Sequence, residues 1–211
     1  MKIALIALSA ALVVGAGAVS ISAVSTAQQV SKAAPAVVDA YVEATFKGAS
    51  DTWKGRIKQD ETQRACSENK NELSTAEFQK VLAREKASVV FPADGKVIGN
   101  WKEGAKIAQN GRGGQFSDPP DTVGGGNCYA CHQLSKAELS FGTMGPSLNE
   151  YGKIRRFRED EAKAAYAKIY NAQSVMPCSN MPRFGLTKAL SEQQIKDVVS
   201  YLFDPESPVN K

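Results

Sequence analysis

The stretch that decides the fold is Cys128-Tyr129-Ala130-Cys131-His132. Two cysteines three positions apart, with a histidine directly after the second, form the attachment signature of a c-type haem. In that chemistry the two thiols become thioethers to the porphyrin, and the histidine is the proximal ligand of the iron. His132 is the only histidine of the 211 residues, and it occupies the required position. The sequence therefore predicts one covalently bound haem.

The alternative interpretation of the same motif is half of a zinc site. Zinc would need two further ligands, which Cys66, Cys178 or carboxylates would have to supply. A zinc-binding structural protein of this kind would be colourless. Haem is favoured because the motif already contains everything that covalent attachment and proximal ligation require.

The N-terminus predicts export, which agrees with haem attachment outside the cytoplasmic membrane. Met1-Lys2 supplies a positive start, residues 3–19 are apolar and uncharged, and Ser25-Thr26-Ala27 is a small-residue cleavage site. We expect a signal peptide over residues 1–27, cleaved near Ala27, and a periplasmic protein without a stable membrane anchor. A retained anchor stays open as the alternative, since the apolar run is long enough for one.

Charge and composition exclude nucleic acid as a partner. Removing residues 1–27 takes away Lys2 and no acidic residue, which leaves 25 basic and 22 acidic side chains. The charges are scattered, and no run of lysines or arginines forms a basic patch. This pattern is typical of an ordinary solvated surface.

The remaining 184 residues are predicted to form a helical N-terminal extension over residues 28–97 and a haem domain over residues 98–211. In the extension, apolar residues at helical spacing predict a helix over residues 30–46. A capping box at Ser74 begins a second helix. Nothing in the extension indicates chemistry, so its expected role is packing and contact with a partner.

The haem domain is predicted to contain helices over residues 101–108 and 159–170 and a last helix after Ser191. Ser191 is a good N-cap, and Gln194 completes a capping box. One apolar stripe at helical spacing follows, made of Ile195, Val198, Val199 and Leu202. Every predicted element is a helix, so the expected fold class is all-α.

The second axial ligand of the iron must come from a residue other than histidine. Met181 is favoured because Pro182 stiffens its loop and Gly185 permits the turn that follows. A thioether sulfur suits iron, and His/Met ligation raises the reduction potential. Met176, which also precedes a proline, is the main competitor; Met144, Cys178 and lysine side chains remain further candidates.

Two other features concern the surroundings of the haem. The carbonyl of Pro146 is expected to accept a hydrogen bond from His132 Nδ1 and so fix the orientation of the ring. Cys66 and Cys178 are the two cysteines that the haem leaves over, which in an exported protein predicts a disulfide. The alternative is that Cys178 is a reactive thiol beside the haem.

The order of the motifs resembles the SoxX family, the monohaem cytochrome c subunits of SoxAX complexes in bacterial sulfur (thiosulfate) oxidation. The resemblance covers residues 98–210. It is carried by Gly111-Arg112-Gly113-Gly114, the haem motif, Gly145-Pro146-Ser147-Leu148, the loop Met181-Pro182-Arg183-Phe184-Gly185 and the tail 204–210. The haem motif alone would indicate only a cytochrome c.

This resemblance implies a class I cytochrome c-like haem domain that pairs with a SoxA-like cytochrome subunit. Such a complex is an L-cysteine S-thiosulfotransferase, which joins thiosulfate oxidatively to a cysteine of a SoxYZ-like carrier protein. By resemblance the catalytic cysteine belongs to the SoxA-like subunit, and this chain passes electrons to an acceptor cytochrome c. Cys128 and Cys131 carry over as thioether sites, His132 and Met181 as axial ligands, and Cys66 with Cys178 as further matching positions.

The competing function is a free periplasmic monohaem electron carrier with no fixed partner. The extension over residues 28–97 distinguishes the two hypotheses, because a small carrier domain needs only about 80–110 residues. A helical extension beyond that size favours a stable partner surface.

Overall fold

The computed structural model describes residues 33–115, 117–119 and 121–211. These residues form α-helices and short 3-10 helices and contain no strand, which confirms the all-α fold class. The α-helices are α1 Pro35–Thr45, α2 Asp51–Ile57, α3 Glu61–Glu68, α4 Thr75–Ala87, α5 Trp101–Gln109, α6 Tyr151–Ile154, α7 Glu159–Tyr170 and α8 Glu192–Phe203. Within the described residues, none of these helices has both the length and the apolar character needed to cross a membrane. The predicted signal peptide over residues 1–27 lies outside the described residues.

Helices α1 to α4 belong to the predicted extension. α1 begins with Pro35 at its first turn, where a missing N–H costs nothing. α4 begins with the predicted capping box, in which Ser74 Oγ accepts from the Glu77 N–H and Glu77 Oε2 accepts from the Ser74 N–H. Sequence analysis did not predict α2 and α3, because each is only two turns long. The capping box of Asp60 and Gln63 at the start of α3 was the signal that could have revealed it.

Helices α5 and α8 cross in close contact at the centre of the haem domain. A Cβ atom at Gly104 of α5 would lie 1.9 Å from the backbone oxygen of Asp197, so only glycine permits this approach. The predicted apolar stripe of α8 is buried along its whole length, and Ser191 and Gln194 form the predicted capping box. α7 packs across α8 and closes the core with Ala162, Ala165, Tyr166 and Ile169.

The C-terminal tail locks α6 against the end of α8. Asn210 is buried, and its Oδ1 accepts from the N–H groups of Gly152 and Lys153 at 3.0 and 3.1 Å. Its Nδ2 donates to the carbonyl oxygens of Leu202 and Asp204. One side chain therefore satisfies backbone groups at the start of α6 and at the end of α8. The loop that leads into α6 runs alongside the haem motif.

Candidate functional site

The haem motif forms a tight turn that presents both cysteines and His132 together. Cys128–Ala130 is a single 3-10 turn, and the N–H groups of Cys131 and His132 both donate to Cys128 O, at 3.1 and 2.9 Å. Neither Cys128 nor Cys131 takes part in a disulfide, so both sulfurs are available for attachment to the porphyrin.

The ring of His132 is fixed by the loop that follows it. His132 Nδ1 lies 2.7 Å from Pro146 O, and a carbonyl can only accept, so Nδ1 carries the proton. Nε2 of the neutral ring is then left with a free lone pair, as a metal ligand needs. Gly145 makes this contact possible, because a Cβ atom there would lie 2.2 Å from His132 Cε1. The role of Pro146 was predicted from the sequence, whereas that of Gly145 was not.

Two adjoining cavities, of about 380 and 260 Å³, share Cys128, His132 and Met181 in their walls. Cys131 lines the first, while apolar core side chains surround the second, among them Ala108, Leu134, Ile169, Val198 and Leu202. Two attachment thiols, an imidazole and a thioether thus face one apolar space. This donor set fits haem c, which needs covalent attachment, two axial ligands and exclusion of water.

The other candidates for the second axial ligand are placed differently. Met176 is 52% exposed and is absent from the walls of both cavities in the described part of the chain. Met144 lines the outer cavity but is 75% exposed. Lys168 lines both cavities, and burial lowers the pKa of its ammonium group. Of these candidate donors, Met181 and Lys168 are the ones that line both cavities in the described part of the chain.

Cys66 of α3 and Cys178 are joined in a disulfide that closes a separation of 112 residues. Their Cα atoms lie 5.4 Å apart, within the usual range for such a bond. A disulfide sulfur is neither a reactive thiol nor a thiolate ligand. The alternatives of Cys178 as a free thiol and of zinc bound by these two cysteines are therefore excluded.

A buried ionic cluster lies directly behind the loop that carries Met181, and sequence analysis missed it. Arg183, 8% exposed, forms ion pairs with Asp60 at 2.6 Å and with Glu85 at 3.7 Å. Glu85, 4% exposed, also accepts hydrogen bonds from Asn171 Nδ2 at 2.7 Å and from Thr62 Oγ1. These residues come from four separate parts of the chain, so no local pattern could have predicted that they meet.

Two cationic side chains, Arg155 and Lys168, line the inner cavity. The Arg155 guanidinium lies 3.6 Å from the ring centroid of Tyr151 and pairs with Glu161 at 3.4 Å. A haem brings two propionate carboxylates, which are costly to bury without cations nearby. Arg155 and Lys168 are the side chains of this cavity that would offset that charge.

Comparison with known proteins gives two matches. A family model for cytochrome c matches residues 102–204. The match begins at the second residue of α5, ends one residue after α8, and includes the haem motif and Met181. An uncharacterized lipoprotein of Aquifex aeolicus (strain VF5) is 38% identical over 165 residues, which cover 75% of this chain and 76% of the relative.

Proposed function

Since this chain belongs to the cytochrome c family and carries covalent haem c, we propose that it is the SoxX-like electron-transfer subunit of a SoxAX-type complex. The observation that carries the electron-transfer role is the placement of His132 and Met181 in the walls of the same cavities. With His132 and Met181 both bound to it, the iron would have no open position for a substrate. The protein therefore moves electrons, and bond making takes place elsewhere.

In this proposal each residue of the site has one task. Cys128 and Cys131 would hold the haem covalently, and His132 and Met181 would bind its iron. The bound haem supplies one-electron redox chemistry. Pro146 O keeps the proton of His132 on Nδ1, which orients the ring and raises its basicity. The apolar walls exclude water.

The thiosulfate chemistry is proposed from the order of the sequence motifs. Forming a sulfur–sulfur bond between thiosulfate and a SoxYZ-like carrier thiol releases two electrons, which the complex passes on to an acceptor cytochrome c. The four cysteines of this chain are committed, two to the haem motif and two to the disulfide. That commitment supports a catalytic cysteine on a SoxA-like partner rather than on this chain.

Export to the periplasm, with cleavage near Ala27, belongs to the same proposal. Covalent haem attachment of this kind takes place outside the cytoplasmic membrane. The related Aquifex protein bears the name of a lipoprotein, which agrees with export as a property of both chains.

The surface of α1 favours a stable partner over the competing function of a free carrier. No residue of α1 is buried among the described residues, and several large apolar side chains stay exposed: Val37, Val38, Tyr41 and, at its C-terminal end, Phe46. Apolar patches of this kind mark contact surfaces. A free electron carrier forms only small, transient interfaces with its partners and does not need a large apolar patch.

The decisive experiment is purification of the native protein from periplasmic extract, with a haem stain, a visible spectrum and identification of co-eluting proteins. We expect a low-spin haem and a second cytochrome in 1:1 ratio. The isolated complex should then conjugate thiosulfate to a carrier thiol. A monomer that accepts electrons from many donors would instead establish a general electron carrier, and the thiosulfate role would be wrong.

A further inference from the structure

The turn that carries Met181, residues 177–182, is weakly held by its own backbone. Among the described residues its backbone N–H groups find partners only locally, Ser179 N–H on Met176 O and Met181 N–H on Ser179 Oγ. Cys178 has a φ of +61°, a left-handed conformation that is unfavourable for a residue with a Cβ atom. The position of the Met181 turn must therefore be maintained by contacts with other parts of the chain.

Met181 packs against the core, and the N–H groups of Gly185 and Leu186 donate to Tyr170 O. Two further contacts come from the N-terminal extension and flank Met181 on both sides. Three residues before it, Cys178 is covalently joined to Cys66 of α3. Two residues after it, Arg183 pairs with Asp60 at the N-cap of α3 and with Glu85 of α4. A covalent bond and a buried ion pair thus attach the Met181 turn to the same pair of helices.

The ion pair between Arg183 and Glu85 forms a rigid contact. Glu85 and Arg183 are both almost fully buried, and Glu85 is further held by Asn171 and Thr62. Glu85 also lies 3.6 Å from Arg84 Nε, but moving Arg183 away would separate two buried charges and leave the Arg183 guanidinium without a buried partner, which is unfavourable. An ion pair in this environment resists displacement far better than one on the surface, where water replaces the partner.

We propose that α3 and α4 form a two-point clamp that holds Met181 at the haem iron, with Glu85 and Asp60 as positioning residues. This inference rests on the assignment of Met181 as axial ligand under the proposed function. It gives the extension a role in the redox site in addition to partner contact. Loosening either point should raise the fraction of molecules in which Met181 has left the iron.

The test is imidazole binding to the oxidised holoprotein, because imidazole takes the position that Met181 vacates. Its apparent affinity rises in proportion to the fraction of open molecules. Met181→Ala sets the fully open limit. Glu85→Gln and the pair Cys66→Ser with Cys178→Ser are each expected to raise the apparent affinity about tenfold or more. Both should also lower the reduction potential, since a less tightly held thioether stabilises the reduced iron less.

Two further variants separate the clamp from a general loss of structure. Asp60→Asn removes the ion pair with Arg183 but keeps a good N-cap for α3, so it should fold normally and raise the affinity about threefold. Glu103→Gln is the matched control, because Glu103 pairs with Lys106 on the exposed side of α5. It should bind imidazole as the unchanged protein does. All titrations are made well below the thermal midpoint of each variant.

The outcomes distinguish the clamp from the ligand assignment. If Met181→Ala binds imidazole no better than the unchanged protein, Met181 is not the ligand, and both the ligand assignment and the clamp are wrong. If Met181→Ala opens the site while Asp60→Asn and the cysteine pair keep the original affinity and potential, only the clamp is wrong. Increased binding in the clamp variants, with no change in Glu103→Gln, establishes it whatever the sulfur assay shows.

Discussion

Single atoms decide the geometry around His132, and Gly145 is the clearest case. Its N–H donates to Cys131 O at 2.7 Å, and the histidine ring lies where a Cβ atom would stand. The next residue, Pro146, accepts from His132 Nδ1. The backbone of Gly145 must therefore lie directly against the His132 ring for Pro146 to accept the hydrogen bond that orients it.

Gly145→Ala is expected to displace the His132 ring and weaken its contact with Pro146. We predict a lower yield of holoprotein and a shifted reduction potential in what remains, measured by haem stain and redox titration. Gly48→Ala is the control, since a Cβ atom there meets nothing within 4 Å. Unchanged yield and potential in Gly145→Ala would show that the ring has room to move.

Met181→Ala is expected to open the distal side of the haem. Loss of the thioether should lower the reduction potential and let added ligands bind, because His/Met ligation favours the reduced iron. The visible spectrum and a redox titration measure both effects. Met176→Ala is the control, and a change confined to that variant would transfer the ligand role to Met176.

At this scale the residues that would carry the chemistry are easier to predict from sequence than most of those that support them. The haem motif is local, and a proline after a methionine is visible in the printed sequence. Gly145 and Arg183 stand in motifs quoted from the sequence, but their contacts are with residues that folding brings near them, so those contacts could not be predicted.

At the scale of elements, the crossing of α5 and α8 holds the haem domain together. Gly104 lets the two helices touch, and Asp197 of α8 accepts from the Asn100 N–H at the start of α5 at 2.8 Å. Ser200 Oγ accepts from the Gly99 N–H at 2.6 Å. Backbone groups that precede α5 are thus satisfied by α8, and the crossing is fixed by polar as well as apolar contacts.

Gly104→Ala is expected to force α5 away from α8, because the new methyl group would overlap Asp197 O and Tyr201 Cβ. Overpacking of this kind costs about 1–3 kcal/mol. The thermal midpoint should fall by roughly 2–4 °C per kcal/mol for a chain of this size. Gly55→Ala in α2 has open space around it and should unfold at or above the original temperature. Equal midpoints for the two variants would contradict the close crossing.

Helices with a full apolar stripe or a strong cap were predicted well, as α4 and α8 illustrate. α2 and α3 were not predicted, because two helical turns give too little hydrophobic periodicity to recognise. The disulfide and the Asp60–Arg183 ion pair hold α3 against the haem domain, and a hydrogen bond from Arg56 to Thr187 O holds α2. These contacts span more than a hundred residues, so no local pattern reveals them.

At the scale of the whole molecule, the Cys66–Cys178 disulfide ties the extension to the haem domain. Replacing both cysteines by serine removes a crosslink over 112 residues. The chain-entropy account gives a loss of about 4–5 kcal/mol in the free energy of unfolding. Urea denaturation of the oxidised protein measures it. A loss below about 1 kcal/mol would mean that the unfolded chain is already constrained near these positions.

The nesting of the four cysteines has a further consequence for biogenesis. The disulfide joins the first and last of them, whereas Cys128 and Cys131, which must stay reduced for haem attachment, lie between. A chain exported N-terminus first delivers its thiols in numerical order, so pairing by order of arrival would join Cys66 to Cys128 and destroy the haem site. Correct maturation therefore depends on timing. Cys128 and Cys131 must be attached to haem, or kept reduced, until Cys178 has been exported and can pair with Cys66.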